Sequence, residues 1–361
     1  MIKFIHTADI HLGLQFNNVS FHKDKAMARR RELWSTFERI VKKSIEDNVD
    51  FLFIAGDLYE ERYFTLGDMK KVRDILATCP HVNVIISAGN HDFIDQNSLY
   101  NKVQWTPNVT IFKSDGLDSK EFEELNTVVY GYSWDKIELK ENMILENIEN
   151  TEDMNRILII HGDIGANSNY LPLDLNVLKD LNMDYIALGH IHKPNLFNNK
   201  IAYSGSPEPL DFGESGDRGI ILGTINNGVT KIELVPFSKR SFLKVDMHLN
   251  NEMGYLDIIN KIKEISIGSL DRDFYRVHLQ GYIDNDLNLS GLEDDLESSF
   301  YHIEIIDNTE LDFDLEALEK ANKDNIIGQF IHAMKSKGLE NQIIKDSLYY
   351  GLSALLKGRV V

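Results

Sequence analysis

The chain has 361 residues, 43% apolar and 26% charged, which is the composition of an ordinary globular protein with room for one large domain and smaller appendages. Its formal charge of −19 argues against tight unaided binding to long nucleic acid, because such binding depends on neutralising phosphates. No apolar run reaches the length of a membrane span, His6 and Asp9 interrupt the opening stretch where a secretory leader would be apolar, and the single cysteine, Cys79, excludes an internal disulfide and fits a reducing cytoplasm.

The first predicted strand is Ile2 to Ile5, and it runs into Asp9-Ile10-His11. Arg29 to Glu46 follows with apolar residues at Leu33, Trp34, Phe37, Ile40, Val41 and Ile45, the spacing of an amphipathic helix. Phe51 to Ala55 leads to Gly56-Asp57, and Leu66 to Leu76 reads as a second helix with Cys79 packed near its end. Val82 to Ile86 precedes Gly89-Asn90-His91-Asp92, and Ile157 to Ile160 precedes His161-Gly162. After a helical stretch at Leu173 to Leu181, Tyr185 to Leu188 ends in Gly189-His190-Ile191-His192. Short, almost wholly apolar runs read as strands covered on both faces, and α/β folds bind ligands beyond the carboxyl ends of such strands. Five strand ends carrying Asp, Asn and His therefore predict one polar site in an α/β core.

Farther along, Gly219 to Thr224 and Lys231 to Val235 flank Asn226-Asn227-Gly228, a hairpin signal for antiparallel strands closing this core. A boundary is expected near Pro236 to Ser241, giving a core over 1–238. Phe242 to Leu249 and Phe274 to Gln280 alternate apolar and polar residues around a helical stretch at Leu256 to Ile265. That predicts a small α+β domain over 239–308. The segment 309–361 reads as helical, with one apolar face from Ile327, Phe330, Ile331 and Met334 and another from Leu348, Leu352, Leu355 and Leu356.

The side chains at the strand ends specify chemistry. Asp9 and His11 alternate across one residue and can face the same side. Asp57 has two oxygens and can bridge two ions, while Asn90 offers a neutral oxygen. With His161, His190 and His192 they form a nitrogen and oxygen donor set without thiolate, suited to manganese, iron or zinc in a catalytic centre. Two divalent cations would bring the formal charge to −15 and place positive charge where a phosphodiester could bind. Paired metals clamp the attacking and leaving oxygens of a phosphoryl displacement and acidify a water into its nucleophile. His91 is expected to face substrate, stabilise the transition state and protonate the leaving oxygen, with Asp92 orienting it through the other ring nitrogen. His6 is expected to be packed rather than ligating. The same centre serves a nuclease, a phosphatase or a cyclic-nucleotide phosphodiesterase.

These residues resemble the calcineurin-like metallophosphoesterase superfamily, and in detail its SbcD-type DNA repair exonuclease branch and YhaO-like members. The resemblance rests on Phe4-Ile5-His6-Thr7-Ala8-Asp9-Ile10-His11-Leu12-Gly13, Arg29-Arg30-Arg31-Glu32, Gly189-His190-Ile191-His192-Lys193-Pro194, Ser204-Gly205-Ser206-Pro207 and Phe212-Gly213-Glu214. It covers about residues 1 to 240 and implies a layered α/β/β/α sandwich. It also implies one metal held by Asp9, His11, Asp57 and His192, and a second by Asp57, Asn90, His161 and His190, with His91 the non-ligand catalytic residue. The implied ion is Mn2+, the implied activity 3′→5′ exonuclease action on DNA ends, and the implied assembly a homodimer with an SbcC-type, SMC-like ATPase. In several nucleases of the family a histidine stands three residues after the bridging aspartate; here that position is Glu60.

Other charged stretches are weaker candidates for contacts. Arg29-Arg30-Arg31 reads first as a solvated helix turn and second as a phosphate contact. Lys239, Arg240 and Lys244 lie at the domain boundary, and Arg272, Tyr275 and Arg276 read as an ordinary strand face before a stacking surface. The C-terminal helices could pack on the core or present a ridge to an ATPase partner.

Overall fold

Alternation along the strands sets the layers. The computed structural model describes residues 1–16, 23–140, 148, 154–165, 168–284 and 287–357. It forms two compact units, divided after Ser241. In the first unit the strands are β1 (Ile2–Thr7), β2 (Phe51–Ala55), β3 (Asn83–Ser87), β4 (Val109–Ile111), β5 (Asp118–Phe122), β6 (Thr127–Tyr132) and β7 (Asn155–His161). They continue as β8 (Asp163–Ile164), β9 (Pro172–Leu173), β10 (Tyr185–Gly189), β11 (Asn195–Leu196), β12 (Ile201–Tyr203), β13 (Gly219–Asn226) and β14 (Val229–Pro236). Its helices are α1 (Lys23–Glu46), α2 (Leu66–Leu76) and α3 (Leu175–Asp180).

One six-stranded sheet runs β14-β13-β1-β2-β3-β4 and the other β11-β12-β10-β7-β6-β5. The neighbours β1, β2 and β3 are parallel in the first, and β6, β7 and β10 in the second. Ile2, Phe4, Phe51, Phe53 and Ile85 face Val129, Ile157, Ile159, Tyr185 and Ala187 in a core between the sheets. The intervening residues point outward. Ile5, Leu52, Ile54, Val84 and Ile86 pack on Leu33, Phe37 and Ile40 of α1 and Met69, Val72 and Leu76 of α2. Leu158, Ile160, Ile186 and Leu188 pack beneath Leu178 of α3. The result is the expected α/β/β/α sandwich. The antiparallel pair β13 and β14 turns through Asn227 and Gly228, both at positive φ, as the hairpin signal required.

Three expectations meet specific packing. His6 lies wholly buried between the sheets, its Nδ1 2.8 Å from the Tyr185 hydroxyl, and takes no part in the strand-end site. Cys79 is buried just past α2. Arg29 is not solvated: it is wholly buried, with Nη1 2.6 Å from Glu32 and 3.3 Å from Glu208 and Nη2 donating to the Pro209 carbonyl at 2.8 Å. Helix α1 starts at Lys23, so Arg29 lies within the helix rather than in its first turn, and its spacing from Leu33, Thr36 and Phe37 puts it on the inner face.

The second unit contains β15 (Phe242–Leu249), α4 (Tyr255–Lys263), β16 (Phe274–Ile283), α5 (Leu292–Leu296) and β17 (His302–Leu311). The three strands are parallel, in the order β15-β16-β17. Tyr275, Val277 and Leu279 pack on Ile258 and Ile262 of α4 and Leu292 and Leu296 of α5. Tyr275 is thus core, while Arg276 pairs with Glu304 at 2.7 Å and Arg272 with Asp273 at 2.9 Å, so the strand-face reading holds there. Helices α6 (Leu315–Ala321), α7 (Ile326–Lys335) and α8 (Gln342–Lys357) follow, with Ile327, Phe330, Ile331 and Met334 clustered against Leu348 and Leu352. Among the described residues no helix is long and apolar enough to cross a membrane.

Candidate metal centre

The alternation that builds the core also aims the site. Ile157 and Ile159 face inward from β7, so His161 emerges between the sheets at that strand's end. Tyr185 and Ala187 do the same on β10, which places Gly189 against β2, where a Cβ would stand 1.7 Å from the Ala55 carbonyl oxygen. At Gly56, φ is +91° and a Cβ would stand 2.1 Å from His161 Nδ1. These two glycines let the sheets close at their ligand-bearing ends. Beyond them the loops are stitched together: Asp9 N–H donates to the Gly56 carbonyl at 3.0 Å, His11 N–H to that of Asp57 at 3.0 Å, and His190 N–H to Asp9 Oδ1 at 3.0 Å.

Four site residues carry left-handed backbone: Asp9, His11, Asp57 and His190, with φ of 52°, 51°, 53° and 101°. Non-glycine residues held in that region cost of the order of 1 kcal/mol or more each, and such strain clusters at functional sites. Here it turns each side chain off its strand end toward a common point. Asp9, His11 and His192 offer ligand atoms within 4.8 Å of one another, as do Asp9, Asp57 and His161, and also His11, Asp57 and His91. Asn90 Oδ1 lies 3.0 Å from His161 Nε2 and 3.3 Å from His190 Nδ1. The structure therefore brings all seven sequence-predicted ligands to one place.

Hydrogen bonds on the far sides of the rings test whether this cluster fits cations. His11 Nδ1 is 2.7 Å from Glu60 Oε1, and His192 Nδ1 is 2.5 Å from Glu214 Oε1. A carboxylate only accepts, so both Nδ1 atoms carry hydrogen, and in the neutral rings both Nε2 atoms are lone pairs. Those two lone pairs face each other at 3.0 Å. His161 repeats the pattern: Nδ1 donates to the Ala55 carbonyl at 2.9 Å, leaving Nε2 directed at Asn90 Oδ1 and, at 3.4 Å, at Asp57 Oδ2. That same Asp57 oxygen is 3.8 Å from His11 Nε2 and stands between the two imidazoles. Acceptors converging on acceptors in a buried site require positive charge among them. The donor set fits two divalent ions.

Protons fill that role in the chain alone. Burial disfavours the charge on His161, but Asp57 outweighs it and raises the ring to about 9. Burial likewise opposes His192, yet Glu214 and Asp9 raise it to about 9. Burial would raise Asp57, but the charges and bonds of His161 and His11 hold it well below the usual carboxylate range. His190 is lowered to about 3, by burial first and then by the neighbouring His161 charge.

His91 stands apart, with 43% of its side chain exposed and its ring edge-on to that of His11 at 4.8 Å. Its orienting partner is not Asp92. Glu60 Oε2 lies 3.0 Å from His91 Nδ1, so one carboxylate spans His11 and His91. Burial opposes the His91 charge, but the Glu60 hydrogen bond and Asp57 raise it to about 9, and burial of Glu60 is outweighed by the two histidines, which lower it to about 2. Asp92 is wholly buried and accepts from the Asp57, Leu58 and Gly89 N–H groups at 3.1, 2.9 and 2.6 Å and from the Tyr100 hydroxyl at 2.7 Å. The residues are adjacent in sequence but point to opposite sides of the loop: His91 to solvent, Asp92 into the protein, where it clamps two strand-end loops together.

Two functional carboxylates lay outside the sequence-predicted set. Glu60 stands at the position that departs from several family nucleases, and its spacing from Asp57 was the available signal. Glu214 lies within the quoted Phe212-Gly213-Glu214 stretch and is itself held by Ser206 Oγ at 3.1 Å and the Leu210 N–H at 3.0 Å. Neither is a ligand by geometry; each fixes the ring of one.

Two mixed sheets packed face to face, with a cation-demanding cluster of Asp, Asn and His at their carboxyl ends, have the arrangement of a metallophosphoesterase. The calcineurin-like phosphoesterase family profile matches residues 2–194, more than half of the sequence, and the chain belongs to that family. It is also similar to the uncharacterized metallophosphoesterase YhaO of Bacillus subtilis, with 30% identity over 240 residues, 63% of this chain and 58% of that protein. The match thus spans a little over half of the relative's length.

Proposed function

We propose that the chain is a two-metal phosphodiesterase acting on DNA ends, an exonuclease of the SbcD type. The observation that carries the phosphoesterase chemistry is the pairing of a shielded acceptor cluster with an exposed, carboxylate-held His91 at its rim. Asp9, His11, Asp57 and His192 would hold one ion, and Asp57, Asn90, His161 and His190 the other, with Mn2+ the proposed metal. Two such ions, when bound, supply Lewis-acid polarisation of a phosphoryl oxygen and a lowered pKa for water. The chain's own contribution is proton placement and rigidity. His91, protonated at neutral pH, delivers a proton to the departing oxygen, while Glu60 fixes its ring and Asp92 fixes the loop it stands on. DNA as substrate is supported by the resemblance around Asp9 to Arg31.

An SMC-like ATPase as partner and a homodimeric assembly complete the reading. Ile343, Tyr350, Leu355 and Leu356 of α8 expose apolar surface of the kind such a partner would cover. Incubation with linear duplex and single-stranded DNA plus manganese tests the activity, and shortening from an end is expected. Intact DNA alongside efficient turnover of a small phosphomonoester would overturn it in favour of a phosphatase.

A further inference from the structure

Beside the metal centre runs a groove whose walls are cationic and aromatic. It encloses about 380 Å³ and is lined by Gln15, Arg30, Arg31, Trp34, Tyr63 and Asp68 among others. Gly13, two residues past His11, borders it, and Tyr63 is three residues past Glu60, so groove and centre share their loops. We propose that this groove seats the single-stranded segment of a polynucleotide next to the phosphate being cleaved. The inference rests on the DNA-end reading and adds to it where the strand lies and what holds it.

The charges here are not those of an ordinary solvated helix face, which neutralises its cations with carboxylates three or four residues away. Arg31 is exposed and has no carboxylate partner among the described residues, while the neighbouring Glu32 is turned inward to Arg29 and Arg240. Arg30 donates from Nη1 to Gln15 Oε1 at 2.7 Å, and its buried Nε has no acceptor. The one acid in the lining, Asp68, is occupied as a helix cap, accepting from the Thr65 N–H at 3.0 Å and its hydroxyl at 2.6 Å. On a chain of net charge −19, a groove whose two guanidinium groups have no carboxylate partner among the described residues and whose acid is engaged favours an anion.

The aromatic wall makes that anion a nucleic acid. Trp34 stacks on Phe64 at 5.8 Å with planes 11° apart, and Phe64 stacks on the buried Tyr59 at 4.7 Å, so the indole is braced from the core. Lys71 Nζ, itself paired with Glu38 at 3.0 Å, lies 4.2 Å from the centre of the Trp34 ring, and Arg62 lies 5.4 Å from that of Tyr63, which is 39% exposed and so the ring open to a base. Braced rings interleaved with cations are the means by which single strands are held, bases on the rings and phosphates on the guanidinium groups.

The test is fluorescence anisotropy of a short, labelled phosphorothioate oligodeoxythymidine, which resists cleavage, with the full-length metal-loaded protein over a range of salt. Arg31→Ala should weaken binding and lower the slope of log K against log salt by about 0.7, the value for one phosphate contact on a single strand. Tyr63→Ala should weaken binding roughly five- to a hundredfold with the slope unchanged. Lys231→Ala, a cation on β14 outside the groove, should change neither. Wild-type affinity and slope in both groove variants, in a protein that still shortens DNA, would overturn the groove and leave the exonuclease reading standing. Failure of the wild-type protein to bind the oligonucleotide at all, while it hydrolyses a small phosphodiester, would overturn the DNA reading and the groove with it.

Discussion

Replacing Glu60 by alanine removes two hydrogen bonds at once, 2.7 Å to His11 of the candidate metal cluster and 3.0 Å to His91. Loss of the outer partner of a ligating histidine lowers metal affinity or activity about 10- to 100-fold. A His91 ring freed to rotate forfeits part of the roughly 10²–10⁴ that a positioned general acid provides. The two effects act on different quantities, binding of one ion and the proton transfer. At saturating metal only the second reaches kcat, which should fall by about 10²–10³, or roughly 2.7–4 kcal/mol in the barrier, while the first shows as a weaker affinity for one ion. Glu60→Gln keeps one acceptor oxygen, enough for one ring but not both, and should fall between wild type and alanine. Steady-state hydrolysis of bis(p-nitrophenyl) phosphate at saturating manganese reads kcat, and calorimetric metal titration reads the affinities. Wild-type kcat and unaltered metal binding in Glu60→Ala would refute the bridging role.

Other expectations follow from separate contacts. Asp57→Asn, at the carboxylate between His11 and His161, should lower the affinity of both ions, measured as metal retained after dialysis; loss of only one would argue against bridging. His91→Gln should retain the metals and lower kcat by about 10²–10⁴, and loss of metal would contradict its place outside the ligand set. Arg29→Ala leaves buried Glu208 with only the more distant, partly exposed Arg39 guanidinium, 3.5 Å away, and should lower stability in denaturant unfolding by up to about 3 kcal/mol, where an unchanged midpoint would be the contrary result. His6 is held neutral by burial, only partly offset by a backbone bond at Leu188, and its pKa drops from 6.5 to about 3. The unfolded chain then takes up a proton that the folded one refuses, so stability is full above pH 6.5 and declines as pH falls toward 3. His6→Gln should flatten that decline in thermal unfolding; an equally steep profile would exclude His6 as its source.

Much of the layered core was legible because a strand buried on both faces leaves a nearly continuous apolar run, and β1, β2, β3, β7 and β10 each carry one, broken only by Lys3 in the first and Asn83 in the third. The side chains that converge on the candidate metal cluster were legible because each run stops at a short polar motif. The partners of those side chains were not. Glu60 is 49 residues from His11, and Glu214 is 22 from His192, so only the folded loops bring them together. Asp92 shows the opposite limit: adjacency in sequence suggested a pair with His91, whereas successive side chains on the loop diverge. Arg29 was misjudged because the apolar stripe of α1 says nothing about a charge that finds two buried carboxylates.

His11 Nε2 and His192 Nε2 stand 3.0 Å apart with the His192 ring protonated near neutral pH, and this makes uptake of metal an exchange rather than an addition. Near neutral pH the metal-free cluster keeps protons on His161 and His192, which arriving ions expel into the buffer. The heat of loading therefore includes the ionisation enthalpy of whichever buffer receives those protons, and acidification competes with the metal for the same nitrogen atoms.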